Sequence, residues 1–393
     1  VKRKEMSKKG IIHHMINLDH NATTNVYKDV VKYMHKLYLD QSLGNPSSRH
    51  CMGGHSRKLL EDAREIVAKC LGVSPSYVIF TSGATESINM FILGRARLIT
   101  PDQRVRFVTS NAEHPAVTNT FNYIQRTMHP QIEVCILPTK MGLMQLEDVR
   151  QVLGMKDRKV ELVSVSYVNH ELGSVLTRLR DISRMCHEVG ALVHSDMTQA
   201  IGKMEVRLGE LEVDAVSFSG HKFHGPMGVG CLVMRPEIKL EQLMFGGDQE
   251  NKRRPGTENL VGICGMVTAL QKSLHDYPIH RQKYIYFHQL LFESLASSSV
   301  PFRINACPDK IATTISISIG HVEASKLVEF LNQKQICVSR GTACKAYSTG
   351  GSNVIKSLEL PPEYANGTIR ISLGENTSEQ DIIALVQGIK EFY

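Results

Sequence analysis

Apolar runs along this chain are short and sharply bounded, and each gives way to small or polar residues where a turn or a pocket can begin. Tyr77-Val78-Ile79-Phe80, Val105-Arg106-Phe107-Val108-Thr109 and Glu133-Val134-Cys135-Ile136-Leu137 read as strands, as do residues 160–168, 191–196, 214–218 and 231–234. Elsewhere the apolar positions take helical spacing. Val30, Val31, Met34, Leu37 and Tyr38 make one core-facing stripe, and Leu59, Leu60, Ala63, Ile66, Val67 and Cys70 another. Beyond Ile263 the pattern turns helical and then mixed: residues 313–319 alternate as a half-exposed strand, and Ala324, Leu327, Val328, Phe330 and Leu331 mark a helix. Residues 368–374 alternate again, and a last helix covers residues 381–392.

The residues just past the strand ends carry the candidate chemistry. Lys222 follows Ser217-Phe218-Ser219-Gly220-His221, and Gly225-Pro226-Met227-Gly228 turns the chain before the next strand. A lysine there can meet an aldehyde cofactor, although a lone lysine is most often a solvated surface residue. Thr81-Ser82-Gly83-Ala84-Thr85 turns and opens a helix whose free N–H groups, beside a threonine hydroxyl, suit a phosphate; the same turn is common without one. Asp196 ends a strand with Gln199 three residues on, and is either a buried anion or the N-cap of the next segment. His114 lies beyond one strand, and Asn169-His170-Glu171 beyond another, at the same sheet edge. Cys344 alone of the cysteines lies in a small, polar, glycine-rich stretch, where Arg340 and Lys345 favour a thiolate; a free surface thiol is the alternative. Cys337, in an apolar strand, reads as packing. Arg370 has apolar neighbours, and its fork suits either a carboxylate ligand or a structural salt bridge.

Ser219-Gly220-His221-Lys222, with Gly83-Ala84-Thr85-Glu86, Glu113-His114, Asp196-x-x-Gln199 and Gly341-Thr342-Ala343-Cys344, resembles the motifs of the class V aminotransferase fold. The likeness, over about residues 18–373, is to pyridoxal-phosphate-dependent cysteine desulfurases and selenocysteine lyases. It implies an α/β chain of transferase fold type I. A large domain with a mainly parallel seven-stranded sheet would occupy residues 18–265, and a smaller α+β domain carrying the cysteine loop residues 266–393, after a tail at residues 1–17. It implies pyridoxal 5'-phosphate on Lys222, with the phosphate at Ala84, Thr85, Ser219 and His221. The ring would stack on His114, which also moves protons; the phenolic oxygen would lie beside His170 and Gln199, and the pyridine nitrogen against Asp196. Thr257, in Arg254-Pro255-Gly256-Thr257, would complete the phosphate site of a second subunit in a homodimer. Asn21 would line the substrate mouth, Arg370 would take the substrate carboxylate, and Cys344 would accept sulfur.

The implied reaction converts L-cysteine to L-alanine and leaves a persulfide on Cys344 for an acceptor thiol. A selenocysteine lyase would use the same residues, and a transaminase would leave Cys344 unused. One departure is His170, where relatives usually carry asparagine. Imidazole still donates one hydrogen bond, but it is larger and can become cationic, which keeps open a cofactor-bound, non-catalytic regulator.

Composition adds limits. At 42% hydrophobic and 22% charged residues, the 393-residue chain fits an ordinary soluble globular class and exceeds one small core. Its net charge of +7 is mild, and no basic run interleaved with aromatics marks a nucleic-acid groove. Nine cysteines without a Cys-x-x-Cys pair favour reduced thiols and a cytoplasmic setting. Cys186 and His187 point apart on a helix, so no metal is expected, and no apolar run reaches membrane length. The basic start reads as a flexible tail, a leader being the other reading. The expected protein partner is a sulfur acceptor: an iron–sulfur scaffold, a tRNA-thiolation protein or another carrier.

Overall fold

The computed structural model describes residues 15–128, 130–305, 307–340 and 352–393. Seven strands form one sheet in the order Val78–Thr81, Gly230–Met234, Ala215–Ser219, Leu192–Asp196, Lys159–Ser166, Val105–Ser110 and Ile132–Leu137. Gly230–Met234 runs antiparallel to both neighbours, and the remaining pairings are parallel. Parallel strands need crossovers, which helices such as Ala84–Ala96, Pro115–Thr127 and Leu179–Glu188 supply. These helices cover both faces, so Phe107, Leu162, Val163, Val193, Val216 and Leu232 are fully buried. That is why the strands read as near-continuous apolar runs. The mainly parallel α/β sheet expected from the sequence is borne out.

One polar chain crosses this sheet. His194 is bonded through Nδ1 to Ser164 Oγ and through Nε2 to Ser217 Oγ, each at 2.9 Å, and it stacks on Phe91 with ring centroids 5.3 Å apart. Burial lowers its pKa from 6.5 to about 4, with Asp196 opposing the shift. The folded state therefore keeps His194 neutral while an unfolded chain binds a proton, so stability is full above about pH 6.5 and is lost as pH falls toward 4. His20, His221, His224 and His288 are lowered to about 4 as well, each chiefly by burial. The denaturant midpoint should fall steeply over this window, each extra proton taken up by the unfolded chain adding up to roughly 1.4 kcal/mol per pH unit. His194→Asn should flatten the slope by about one proton; an unchanged slope would show that His194 does not report on folding.

A second core lies on an antiparallel four-stranded sheet, Phe302–Ile304, Thr314–Ile319, Thr368–Ser372 and Ser339–Arg340, flanked by helices Ala324–Gln333 and Glu379–Phe392. The 37-residue helix Leu260–Ala296 serves both cores: Leu260, Ile263, Met266 and Leu270 pack on the large sheet, Tyr284, Phe287, Leu291 and Leu295 on the small one, with Pro278 between. The strand Thr314–Ile319 corrects one expectation, being buried throughout and not half-exposed. Its polar face is covered and bonded: Asn305 Nδ2 donates to Ser316 Oγ at 3.1 Å and Ser318 Oγ at 2.9 Å, and Asn21 Nδ2 donates to Thr314 Oγ1 at 2.8 Å. The early strand Ile16–Asn17 pairs with Ile336–Cys337, and Leu18 joins this second core. Among the described residues no helix is long and apolar enough to cross a membrane.

Candidate active site at the carboxyl edge of the sheet

The parallel strands end together and their outgoing loops converge, as expected where an open α/β sheet leaves a crevice beyond its strand ends. Lys222 closes a short 3-10 turn, Gly220–Lys222, directly after the strand Ala215–Ser219. Its Nζ donates to the carbonyls of Asn21 at 2.7 Å and Ala22 at 2.9 Å. The segment holding those carbonyls is clamped to the turn, because Thr24 Oγ1 donates to His221 O at 2.8 Å and accepts from His224 N at 2.7 Å.

Asp196 ends the neighbouring strand and is 7% exposed. One carboxylate oxygen accepts Thr198 N at 2.9 Å, so the capping alternative is half right: it holds a turn, and no helix follows. Among the described residues Asp196 forms no salt bridge. His114 is the N-cap of Pro115–Thr127, with Nδ1 accepting from Ala116 N at 3.1 Å, which leaves Nε2 as the protonated nitrogen. Burial lowers its pKa; Asp196 opposes that and Lys222 adds to it. His170 meets His114 edge-on with ring centroids 5.7 Å apart.

Ala84 and Thr85 begin the 13-residue helix Ala84–Ala96, whose N-cap Gly83 supplies no side-chain cap. Ser219 Oγ takes the Ala84 N–H at 2.7 Å, which joins two of the expected phosphate ligands. His221 Nδ1 lies 3.1 Å from Thr23 Oγ1. Thr257 is exposed, and its segment is tied to the same helix by Arg254 Nε donating to Glu86 Oε1 at 2.8 Å.

Arg370 is 3% exposed on the strand Thr368–Ser372. Its guanidinium bonds Asp19 Oδ1 at 2.8 Å and the His170 carbonyl at 3.0 Å, so both of its sequence readings keep a footing: it has an acidic partner and stands beside His170. Asn21 is turned inward. Its N–H donates to Ser372 Oγ at 2.8 Å, its Nδ2 to Thr314 Oγ1 at 2.8 Å, and its Oδ1 accepts Lys203 Nζ at 2.8 Å. Gln199 Nε2 donates to the Asn21 carbonyl at 3.1 Å. Cys344 lies outside the described residues.

Sequence reasoning passed over two buried ionisable groups. Lys203 is bonded to Asn21 and Gln199; its signal was a lysine in the otherwise apolar Ile201-Gly202-Lys203-Met204, four residues after Gln199. Glu113 accepts hydrogen bonds from Ser110 Oγ at 2.6 Å and from Ser166 Oγ. Burial raises its pKa to about 7; the two serines oppose this and Asp196 adds to it. Among the described residues no group of three or more His, Cys, Asp and Glu could hold a metal ion.

Residues 16–385 match the family described as Aminotransferase class-V. Cysteine desulfurase IscS of Dictyoglomus turgidum (strain DSM 6724 / Z-1310) is 33% identical over 369 residues, which cover 93% of this chain and 91% of that protein. A solved NifS-like protein superposes with a TM-score of 0.87 at 33% identity, covering 96% of this chain and 99% of that one. A second structure, SspA in complex with cysteine, superposes with a TM-score of 0.77 at 28% identity, covering 91% and 98%.

Proposed function

This chain belongs to the Aminotransferase class-V family, and from that premise we propose that it is a pyridoxal-phosphate-dependent cysteine desulfurase. L-cysteine loses its Cβ–S bond and leaves as L-alanine, while the sulfur joins Cys344 as a persulfide. One observation carries the reading: Asp196 ends one strand and Lys222 closes the turn directly after the neighbouring parallel strand, so amine and carboxylate stand at one sheet edge, in a chain one-third identical to a cysteine desulfurase over nearly its whole length.

The residues fit the cofactor. Asp196 is a buried carboxylate without a salt bridge among the described residues, suited to a cationic ring nitrogen. Ser219 Oγ, which takes the Ala84 N–H, and the start of a helix whose N-cap Gly83 has no side chain suit a phosphate. When bound, pyridoxal 5'-phosphate supplies the aldehyde for an amine and a ring that accepts electrons from the substrate carbon.

The remaining work falls to the protein. Lys222, aimed by the Asn21 and Ala22 carbonyls, holds the cofactor and then carries a proton to and from the substrate α-carbon. His114, kept neutral by burial, offers a proton at Nε2. Arg370, steadied by Asp19, takes the substrate carboxylate. The Cys344 thiolate attacks the substrate sulfur; its role rests on the Gly341-Thr342-Ala343-Cys344 motif. The exposed Thr257 serves the phosphate of a second subunit, so the active unit is a homodimer.

The test is alanine released from L-cysteine by cofactor-loaded protein with a reductant present. Wild type should turn over, and Cys344→Ser should lose about a thousandfold or more, because the sulfur has no acceptor. Equal rates would remove Cys344 from the mechanism, and a new amino acid formed from a keto acid would point to transamination.

A further inference from the structure

The proposed chemistry leaves Lys203 unused, yet this side chain is 6% exposed at the edge where the site lies. The turn that delivers it is pinned to the residue after Lys222: Gly202 sits at φ 75°, and a Cβ there would come within 2.4 Å of Phe223 Cβ. Lys203 Nζ donates to Asn21 Oδ1 at 2.8 Å and to Gln199 Oε1. Among the described residues no carboxylate forms a salt bridge with it. Burial holds its amine well below the usual lysine range, and the charges of Lys222 and Arg370 add to this, with Asp19 opposing. An amine buried without a carboxylate is a poor stabiliser, and such groups concentrate at functional sites.

Its hydrogen bonds dictate the orientation of two amides. A donor at Lys203 requires the Gln199 amide oxygen to face it, so the Gln199 NH2 must face the other way. There it meets the Asn21 carbonyl, the same oxygen that accepts Lys222 Nζ. Asn21 is fixed in the same manner, with Oδ1 toward Lys203 and Nδ2 toward Thr314. We propose that Lys203 is a positioning residue: it sets which end of the Gln199 amide faces the site and, through Asn21, where the amine of Lys222 points. This rests on reading Lys222 as the cofactor-bearing lysine.

The test uses the full chain as Lys203→Met, Gln199→Ala and the double variant, without substrate. Apoprotein is titrated with pyridoxal 5'-phosphate, the visible absorbance is followed with pH, and the thermal midpoint is recorded. Lys203→Met should melt within a few degrees of wild type, since losing a buried amine offsets the donor lost to Asn21 Oδ1 and Gln199 Oε1. Its cofactor dissociation constant should nevertheless rise about tenfold, as for other groups that orient a ligand-holding side chain. The absorbance midpoint should shift, because the Asn21 carbonyl that accepts Lys222 Nζ loses the bonds that fix it. The double variant should lose less than the product of the two single effects, since the Gln199 contact is common to both changes while the Asn21 contact belongs to Lys203 alone. Lys203→Gln, which keeps a donor, should retain more affinity than Lys203→Met.

Wild-type affinity and midpoint in Lys203→Met, effects that multiply in the double variant, or a lower melting point with unchanged absorbance would each overturn the proposal. The two readings fail differently. A wild type that forms no visible band rejects Lys222 as the attachment point and this proposal with it, whereas a wild-type band left unaltered in Lys203→Met rejects Lys203 alone.

Discussion

Lys222→Ala should release no alanine from L-cysteine above about one-thousandth of the wild-type rate, because it removes both the point of attachment and the proton carrier at the reacting carbon. The variant should still fold. The Lys222 amine bonds the backbone carbonyls of Asn21 and Ala22. Leaving them without that donor costs on the order of 1–3 kcal/mol each at most, against a stability of roughly 5–15 kcal/mol for an ordinary domain. Borohydride reduction followed by peptide mass spectrometry gives a second measurement. In wild type the cofactor should be found on the peptide containing Lys222, and in the variant on none. A label on the Lys203 peptide of the wild type would exchange the roles of the two amines and refute the assignment of Lys222.

Asp196→Asn should have the next largest effect, and it separates the two things this residue can do. Asparagine caps a turn as well as aspartate does, so the Thr198 N–H keeps its acceptor and the local fold is preserved. The buried negative charge, in contrast, disappears. If that charge faces a ring nitrogen, alanine formation should fall by about a hundred- to a thousandfold, as when a preorganised electrostatic group is removed from an active site. The melting point should stay within a few degrees of wild type. Glu113 offers an independent readout: Asp196 helps to raise its pKa, so removing the charge should let it fall below about 7. A variant that turns over normally would return Asp196 to a purely capping role.

Much of the site was legible before any fold. The strands are apolar because helices cover both faces of the sheet, and Lys222, Asp196, His114 and Ala84 lie at or just past strand ends because polar groups are tolerated there far more readily than inside. The change in pattern marked these positions, and the family motifs singled out Lys222, Asp196, His114 and Ala84 as candidates. The alternation at residues 313–319 misled for a related reason. Alternation reports which side chains are polar, and it cannot say that Asn305, Thr368 and Asn21 will satisfy that polar face from within the protein.

Asn21 shows where local pattern stops being informative. The resemblance implies a place for it at the substrate mouth; its side chain is held by Lys203 and Thr314, and its carbonyl takes both Gln199 and Lys222. These partners lie 178 to 293 residues away along the chain. Periodicity and turn residues act over a few positions, so they were enough for the elements, and the motifs were enough for a resemblance that implies the parallel sheet and the type of chemistry at its edge. It was not enough to say which amide faces which amine, or that Lys203 is buried beside them. Burial and hydrogen-bond direction depend on groups that meet only after the chain has closed.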